Sequence, residues 1–139
     1  MTPILAAEIP LEVPFHDVDS MGVVWHGHYV KYLELARTAL LRRAGLDFGQ
    51  MGELGVLWPV ATCRLKYVRP LRYGQRVQVR AELLECANRL RVRYLITDAE
   101  TGERTTSAET VQLAVKADTG ELLFDTPPEV QAAIARAAS

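Results

Sequence analysis

The stretch "WHGHYVKYLELARTALLRRAG", Trp25 to Gly45, decides the fold. From about His28 to Ala44, Lys31, Glu34, Thr38 and Arg42 recur at steps of three and four, which is one polar stripe on a helix. Much of the remaining circumference is apolar: Tyr29, Val30, Tyr32, Leu33, Ala36, Leu40 and Leu41, interrupted by Arg37 and Arg43. A helix with so wide an apolar surface is expected to be largely buried. Gly45 is well placed to stop it.

What could bury such a helix lies downstream. After a Gly-rich connection (Gly49 to Gly55) the hydrophobic period changes to two. One face of "PVATCRLKYVRP" carries Ala61, Cys63, Leu65 and Tyr67, and Cys63 is expected to be a small buried hydrophobe. "QRVQVRAEL" carries Val77, Val79, Ala81 and Leu83; "RLRVRYLI" carries Leu90, Val92, Tyr94 and Ile96; in "SAETVQLAV", Glu109, Val111, Leu113 and Val115 alternate with smaller residues. Four alternating runs with short turns predict an antiparallel meander with one solvated face. Arg76, Arg80, Arg89, Arg91 and Arg93 then fall on that face or on a subunit contact. Upstream, "EIPLEVPF" (Glu8 to Phe15) reads as an extended segment interrupted by Pro14. "PPEVQAAIARAA" closes the chain as a helix with proline near its start. One buried helix and a curled, mainly antiparallel sheet make an α+β fold, and 139 residues without a linker or repeat fit a single domain, 1–139.

Composition narrows the function classes. A net charge of −1 argues against a dedicated nucleic-acid or membrane-surface protein, which would show a basic excess. Two cysteines far apart make neither a disulfide framework nor a zinc site. The N-terminus lacks a basic region and a long apolar run, and no stretch approaches the ~20 apolar residues of a membrane span, so a soluble cytoplasmic protein is expected.

The chemistry concentrates in the loop before the helix, "HDVDSMGVVWHGH" (His16 to His28). It admits several readings. His16, Asp17, Asp19, His26 and His28 are potential metal ligands, yet His26 and His28 are two apart and point in different directions on a helix. "DVD" superficially resembles the loop of aspartyl phosphatases, but those need a parallel apolar strand ahead of it, where this chain has Pro14. Asp17 and Asp19 are also ordinary turn carboxylates able to bond turn amides. The remaining reading uses the helix itself. Its first four N–H groups lack internal partners, no Ser, Thr, Asp or Asn caps it, and Gly27 permits close approach to the backbone. Such N–H groups could hold an oxyanion, a donor worth about 3–4 kcal/mol, while an upstream carboxylate serves as nucleophile or general base.

The loop resembles the signature of the hotdog-fold acyl-CoA thioesterases, in the 4-hydroxybenzoyl-CoA thioesterase-like family, which includes a thioesterase associated with the Tol–Pal system. That pattern is approximately Asp-x-Asp-x-x-Gly-(Val/Ile)-Val-(Tyr/Trp)-(His/Tyr)-x-x-Tyr. Here it reads Asp17, Asp19, Gly22, Val23, Val24, Trp25, His26 and Tyr29. "YVRPLRYG" (Tyr67 to Gly74) is similar to the family's strand-to-turn motif. The resemblance implies a hotdog fold, one long central helix wrapped by the sheet, and hydrolysis of an acyl-CoA with Asp19 as the catalytic carboxylate. It further implies an oxyanion site at the His26 and Gly27 backbone, with Glu34 lining the acyl pocket from a partner subunit. Asn88 and Arg89 would lie near the coenzyme A nucleotide, with Arg69 and Arg72 as weaker candidates. Trp25 and Tyr29 belong either to an acyl tunnel or to the core, and the His26 side chain either donates a proton or holds the loop. Asp17, by contrast, is expected only to shape the turn, so that its replacement is mild. The resemblance also implies a homodimer or homotetramer with active sites between subunits, and no cofactor. It leaves coenzyme A versus acyl carrier protein open. The chain departs from the pattern at His28, where many relatives carry Asn, and at Gln75, where many carry Asp. Alternatives on the same fold are an acyl-CoA-binding module, a dehydratase and a non-enzymatic scaffold.

Overall fold

The computed structural model describes residues 1–139. Strand β1 (Leu5–Glu12) leads through the loop to helix α1 (Tyr29–Arg43), short helix α2 (Phe48–Glu53) and strand β2 (Val56–Leu57). Strands β3 (Val60–Tyr67), β4 (Arg76–Glu85), β5 (Leu90–Asp98), β6 (Arg104–Gln112) and β7 (Val115–Lys116) follow, then helix α3 (Pro128–Ala138). Helix α1 buries Tyr29, Tyr32, Leu33, Ala36 and Leu40, a stripe at steps of three and four. It ends as expected at Gly45, whose φ of +69° needs no Cβ. There Gly45 N–H donates to Arg42 O and Leu46 N–H to Leu41 O, closing a Schellman motif.

The main sheet has the order β1-β4-β5-β6-β3, all antiparallel. Only β4, β5 and β6 form the expected meander. The chain crosses the sheet after β3, so β3 pairs with β6 at one edge and β1 with β4 at the other. The inner faces of β4 and β5 are the expected ones: Val77, Val79, Ala81, Leu83, Leu90, Val92, Tyr94 and Ile96 are all buried. On β6 the opposite face is inside, with Thr106, Ala108, Thr110 and Gln112 buried. Register explains this: Ala108 lies opposite Tyr94 and Thr110 opposite Val92, so small residues make room for the Tyr94 ring. The Tyr94 hydroxyl and Thr110 Oγ1 share a hydrogen bond of 2.7 Å.

Strand β3 departs furthest from expectation. Every residue in it except Leu65 is exposed on both faces, including Cys63. Helix α1 meets this edge at Tyr29, which packs on Tyr67, and leaves the rest of the strand uncovered; Val30, the next residue of the helix, is exposed. The Gly-rich connection is not a plain loop either. Asp47 Oδ1 accepts the Phe48 N–H at 2.8 Å and starts α2. No helix is long and apolar enough to cross a membrane.

Candidate active site

The loop ahead of α1 is a small hairpin. Val18 bridges Val24, Asp19 N–H donates to Val23 O at 2.9 Å, and Gly22 N–H donates to Asp19 O at 3.0 Å. Gly22, at φ +81°, supplies the left-handed residue that closes so tight a turn. The Asp19 carboxylate helps to build it, Oδ1 accepting Met21 N–H at 2.8 Å, while Oδ2 has no partner in the chain. Val24 N–H donates to Leu71 O, and Val23 bridges Arg72, which ties the hairpin to the start of the "LRYG" turn.

Asp17 has a different place from the turn role expected of it. It is 2% exposed. Its Oδ1 accepts from Lys31 Nζ at 2.7 Å and its Oδ2 from the Tyr32 hydroxyl at 2.5 Å. Burial acts to raise its pKa, but the bonds from Lys31 and Tyr32 outweigh that and hold the carboxyl below its usual 3.8. Conversely, burial and the Asp17 charge push the Tyr32 phenol well up. Because Trp25 N–H also donates to Asp17 O at 3.0 Å, this residue clamps the loop onto the first turn of α1.

At the head of that helix a short turn, His26–His28, precedes Tyr29, with no side-chain cap. The N–H groups of His26 and Gly27 have no acceptor in the chain, as the sequence implied for a helix start of this kind. Tyr67, at the end of β3, donates its hydroxyl to His26 O at 3.0 Å and packs edge-on against Tyr29 with centroids 4.8 Å apart. Tyr67 had no predicted role in the site, although it opens the "YVRPLRYG" stretch that resembles the family's strand-to-turn motif. A Cβ on residue 27 would strike the indole of Trp25, so glycine there lets the indole fold over the helix start. The His26 and His28 rings flank the same indole, at 5.0 and 5.3 Å.

The other predicted residues divide. Tyr29 is core, and its hydroxyl accepts Leu71 N–H at 3.2 Å; Trp25 is half exposed. Glu34 is exposed, 3.7 Å from Arg37. Asn88 and Arg89 lie in the β4–β5 turn and border a groove of 400 Å³ with Leu113 and Phe124. Both Arg89 Nε and Nη2 donate to Glu85, whose pKa is held at about 2 by Arg89 and Arg91. The Asp19 hairpin joins the turn that leads into β4, and Asn88 follows the strand's end. At ~3.4 Å per residue the strand separates the two groups by roughly 30 Å. One chain therefore does not bring Asn88 and Arg89 to Asp19. Arg69 is paired with Glu103 at 3.5 Å. No three His, Cys, Asp or Glu side chains are grouped to hold a metal ion.

The thioesterase-like superfamily model matches residues 13–134, from just after β1 to the middle of α3. The chain belongs to the thioesterase-like superfamily. Among members, it is 36% identical over 125 residues to the putative esterase sll0410 of Synechocystis, covering 89% of this chain and 75% of that one. A hypothetical protein of Thermus thermophilus, TT1821, superposes with a TM-score of 0.83 at 30% identity, over 94% and 98% of the two chains. A DHNA-CoA thioesterase of Staphylococcus aureus superposes with a TM-score of 0.79 at 26% identity, over 86% and 80%. The hotdog arrangement expected from the loop motif, a thioesterase-like helix wrapped by an antiparallel sheet, is the one found.

Proposed function

We propose that this chain hydrolyses acyl-CoA thioesters to a free acid and coenzyme A, with Asp19 attacking the thioester carbonyl or activating the water that does so. The observation that carries the reading is the pair of unspent amides at His26 and Gly27, at the head of a 15-residue helix. It is supported by Asp19, a carboxylate with one free oxygen in the Val18–Val24 hairpin that leads into this helix. Charge building on the carbonyl oxygen is met there by two N–H donors and the positive end of the helix dipole. Collapse of the adduct breaks the C–S bond, the thiolate leaves with coenzyme A, and water supplies the oxygen of the new acid; no cofactor enters the balance. Trp25 shields the helix start, while the His26 ring either donates a proton to the leaving thiolate or holds the loop.

The working unit is a dimer or a larger assembly. An edge strand exposed on both faces, with Val60 and Tyr67 bare on it and Val30 exposed on the helix beside Tyr29, supports pairing of β3 with β3 of a second copy. A neighbouring copy would then supply Glu34, and across a larger assembly Asn88 and Arg89, to the site they do not reach within one chain. The whole chain acts as one domain, in the cytoplasm, on coenzyme A or acyl-carrier-protein thioesters.

Thiol release from short, long and aromatic acyl-CoAs tests the reading. Asp19→Asn should fold normally and lose ~100-fold or more in rate. Near-normal rates in this variant would reject the assignment of Asp19, and tight acyl-CoA binding without thiol release would favour a binding module.

A further inference from the structure

Tyr67 is the last residue of β3, yet its hydroxyl reaches back 41 residues along the chain to the head of α1 and donates to His26 O at 3.0 Å. That carbonyl belongs to the same peptide unit as the Gly27 N–H, one of the two amides without an acceptor in the chain. The unit is trans and planar, so its C=O and N–H point in opposite directions and turn together. Whatever fixes the carbonyl therefore fixes the direction of the amide hydrogen. Gly27 is what makes such a tie useful. Without a Cβ its φ is little restrained, and rotation of the peptide would swing the N–H away from a reacting carbonyl. The turn His26–His28 has no side-chain cap to help hold it.

Tyr67 is itself well held. Its ring stands edge-on to Tyr29, with centroids 4.8 Å apart and planes at 86°. The Tyr29 ring is buried, and its hydroxyl accepts Leu71 N–H at 3.2 Å. Just past Tyr67, the N–H groups of Val68 and Arg69 both donate to Thr105 O at 2.9 Å, which fastens the strand's end to β6. Burial, with the nearby Cys63, raises the Tyr67 phenol above its usual 10.0, so it remains a donor across neutral pH. We propose that Tyr67 is a positioning residue for hydrolysis: from the edge of the sheet it aims the Gly27 amide at the thioester oxygen and strengthens it as a donor, a role that rests on the hydrolase reading above. A proton held against His26 O polarises the amide, and a polarised amide donates more strongly. The benefit grows as negative charge builds on the substrate oxygen, so it falls on the transition state more than on the bound substrate. Tyr67 acts through the peptide, not on the substrate.

The test is Tyr67→Phe in the full-length protein, which keeps the ring on Tyr29 and removes only the hydroxyl. Thiol release is measured with acetyl-, octanoyl- and benzoyl-CoA, and the fastest of the three is carried forward. The variant should lose about 10-fold in kcat with KM moving less than ~2-fold, short of the roughly 100- to 1,000-fold that deleting an oxyanion donor outright costs. Its sedimentation should match the parent's. Binding supplies a second readout, which a merely structural role would not split. A trifluoromethyl ketone of coenzyme A, which binds as a tetrahedral adduct with charge on oxygen, should bind the variant about 10-fold more weakly. S-octyl-coenzyme A, a thioether with no carbonyl, should bind both proteins alike. A kcat within ~2-fold of the parent's, equal weakening of both analogues, or a loss of rate that follows dissociation of the assembly overturns the role of Tyr67. A parent inert toward all three thioesters overturns the hydrolase reading, and this role with it; an active parent with an unimpaired variant overturns this role alone.

Discussion

Replacing Asp17 by Asn removes a negative charge from a fully buried site while keeping its shape. In the native chain two oxygens accept from Lys31 and Tyr32 at 2.7 and 2.5 Å. Hydrogen bonds to a charged group contribute roughly 1.5–3 kcal/mol each. The Asn carbonyl can still accept from the buried Tyr32 hydroxyl, and half-exposed Lys31 can turn to water. The net loss is therefore about 2–3 kcal/mol, the weight of one charged bond and a weakening of the other. For a chain of 139 residues that lowers Tm by roughly 6–15 °C. Asp19→Asn is the matched control. Asp19 is less buried and uses one oxygen on a turn amide, a bond Asn makes as well, so its Tm should shift by less than ~2 °C. Thermal melts of both variants beside thiol-release rates separate the two aspartates: one variant loses stability, the other loses rate. A Tm for Asp17→Asn within ~2 °C of the parent would refute the argument that this carboxylate clamps the loop.

The same carboxyl sets an acid dependence. A pKa held below 3.8 in the folded chain means that its stabilisation is complete above the ordinary carboxylate range and is lost as pH falls through the depressed value. Melts of the parent and Asp17→Asn across acid pH should therefore converge below about pH 3.8, and a gap that stays constant would contradict it. Gly27→Ala should push the Trp25 indole off the helix start, changing tryptophan fluorescence and lowering the rate ~10-fold or more while Tm moves little, and Trp25→Ala in the same chain should restore part of the rate. Cys63→Glu places a charge in the middle of β3, so sedimentation should show the assembly dissociating toward a monomer; a parent chain already monomeric at micromolar concentration would remove the basis for β3 pairing.

The helix and the inner faces of β4 and β5 were legible because large apolar residues repeat there with the right period and meet the core. On β6 the pattern misled, since Val111 and Leu113 look like the core face while the chain buries Thr106, Ala108, Thr110 and Gln112, with the small Ala108 opposite the large ring of Tyr94. That choice is made by the strand opposite, which a single segment does not display. Cys63 read as buried because its strand alternates correctly, but nothing local reveals that the strand ends up at the edge of the sheet with its middle uncovered. The helix head and the tight turn were legible from Gly22, Gly27 and the absence of a capping residue. Which aspartate would be buried was not, because Lys31 and Tyr32 declare no interest in Asp17 until the hairpin folds back on the first turn of α1.

The two margins of the sheet differ in chemistry. Along β1, Pro10 interrupts the row of amide donors, and α3 packs beside that strand. Along β3 there is no proline between Val60 and Tyr67. Growth by strand addition is thus open on one side and obstructed on the other. On the β3 pairing proposed above, strand addition stops at two copies, so the bare strand that would mark an aggregation hazard in a symmetric sheet would close a pair rather than seed a fibre, and any larger assembly would have to use another face.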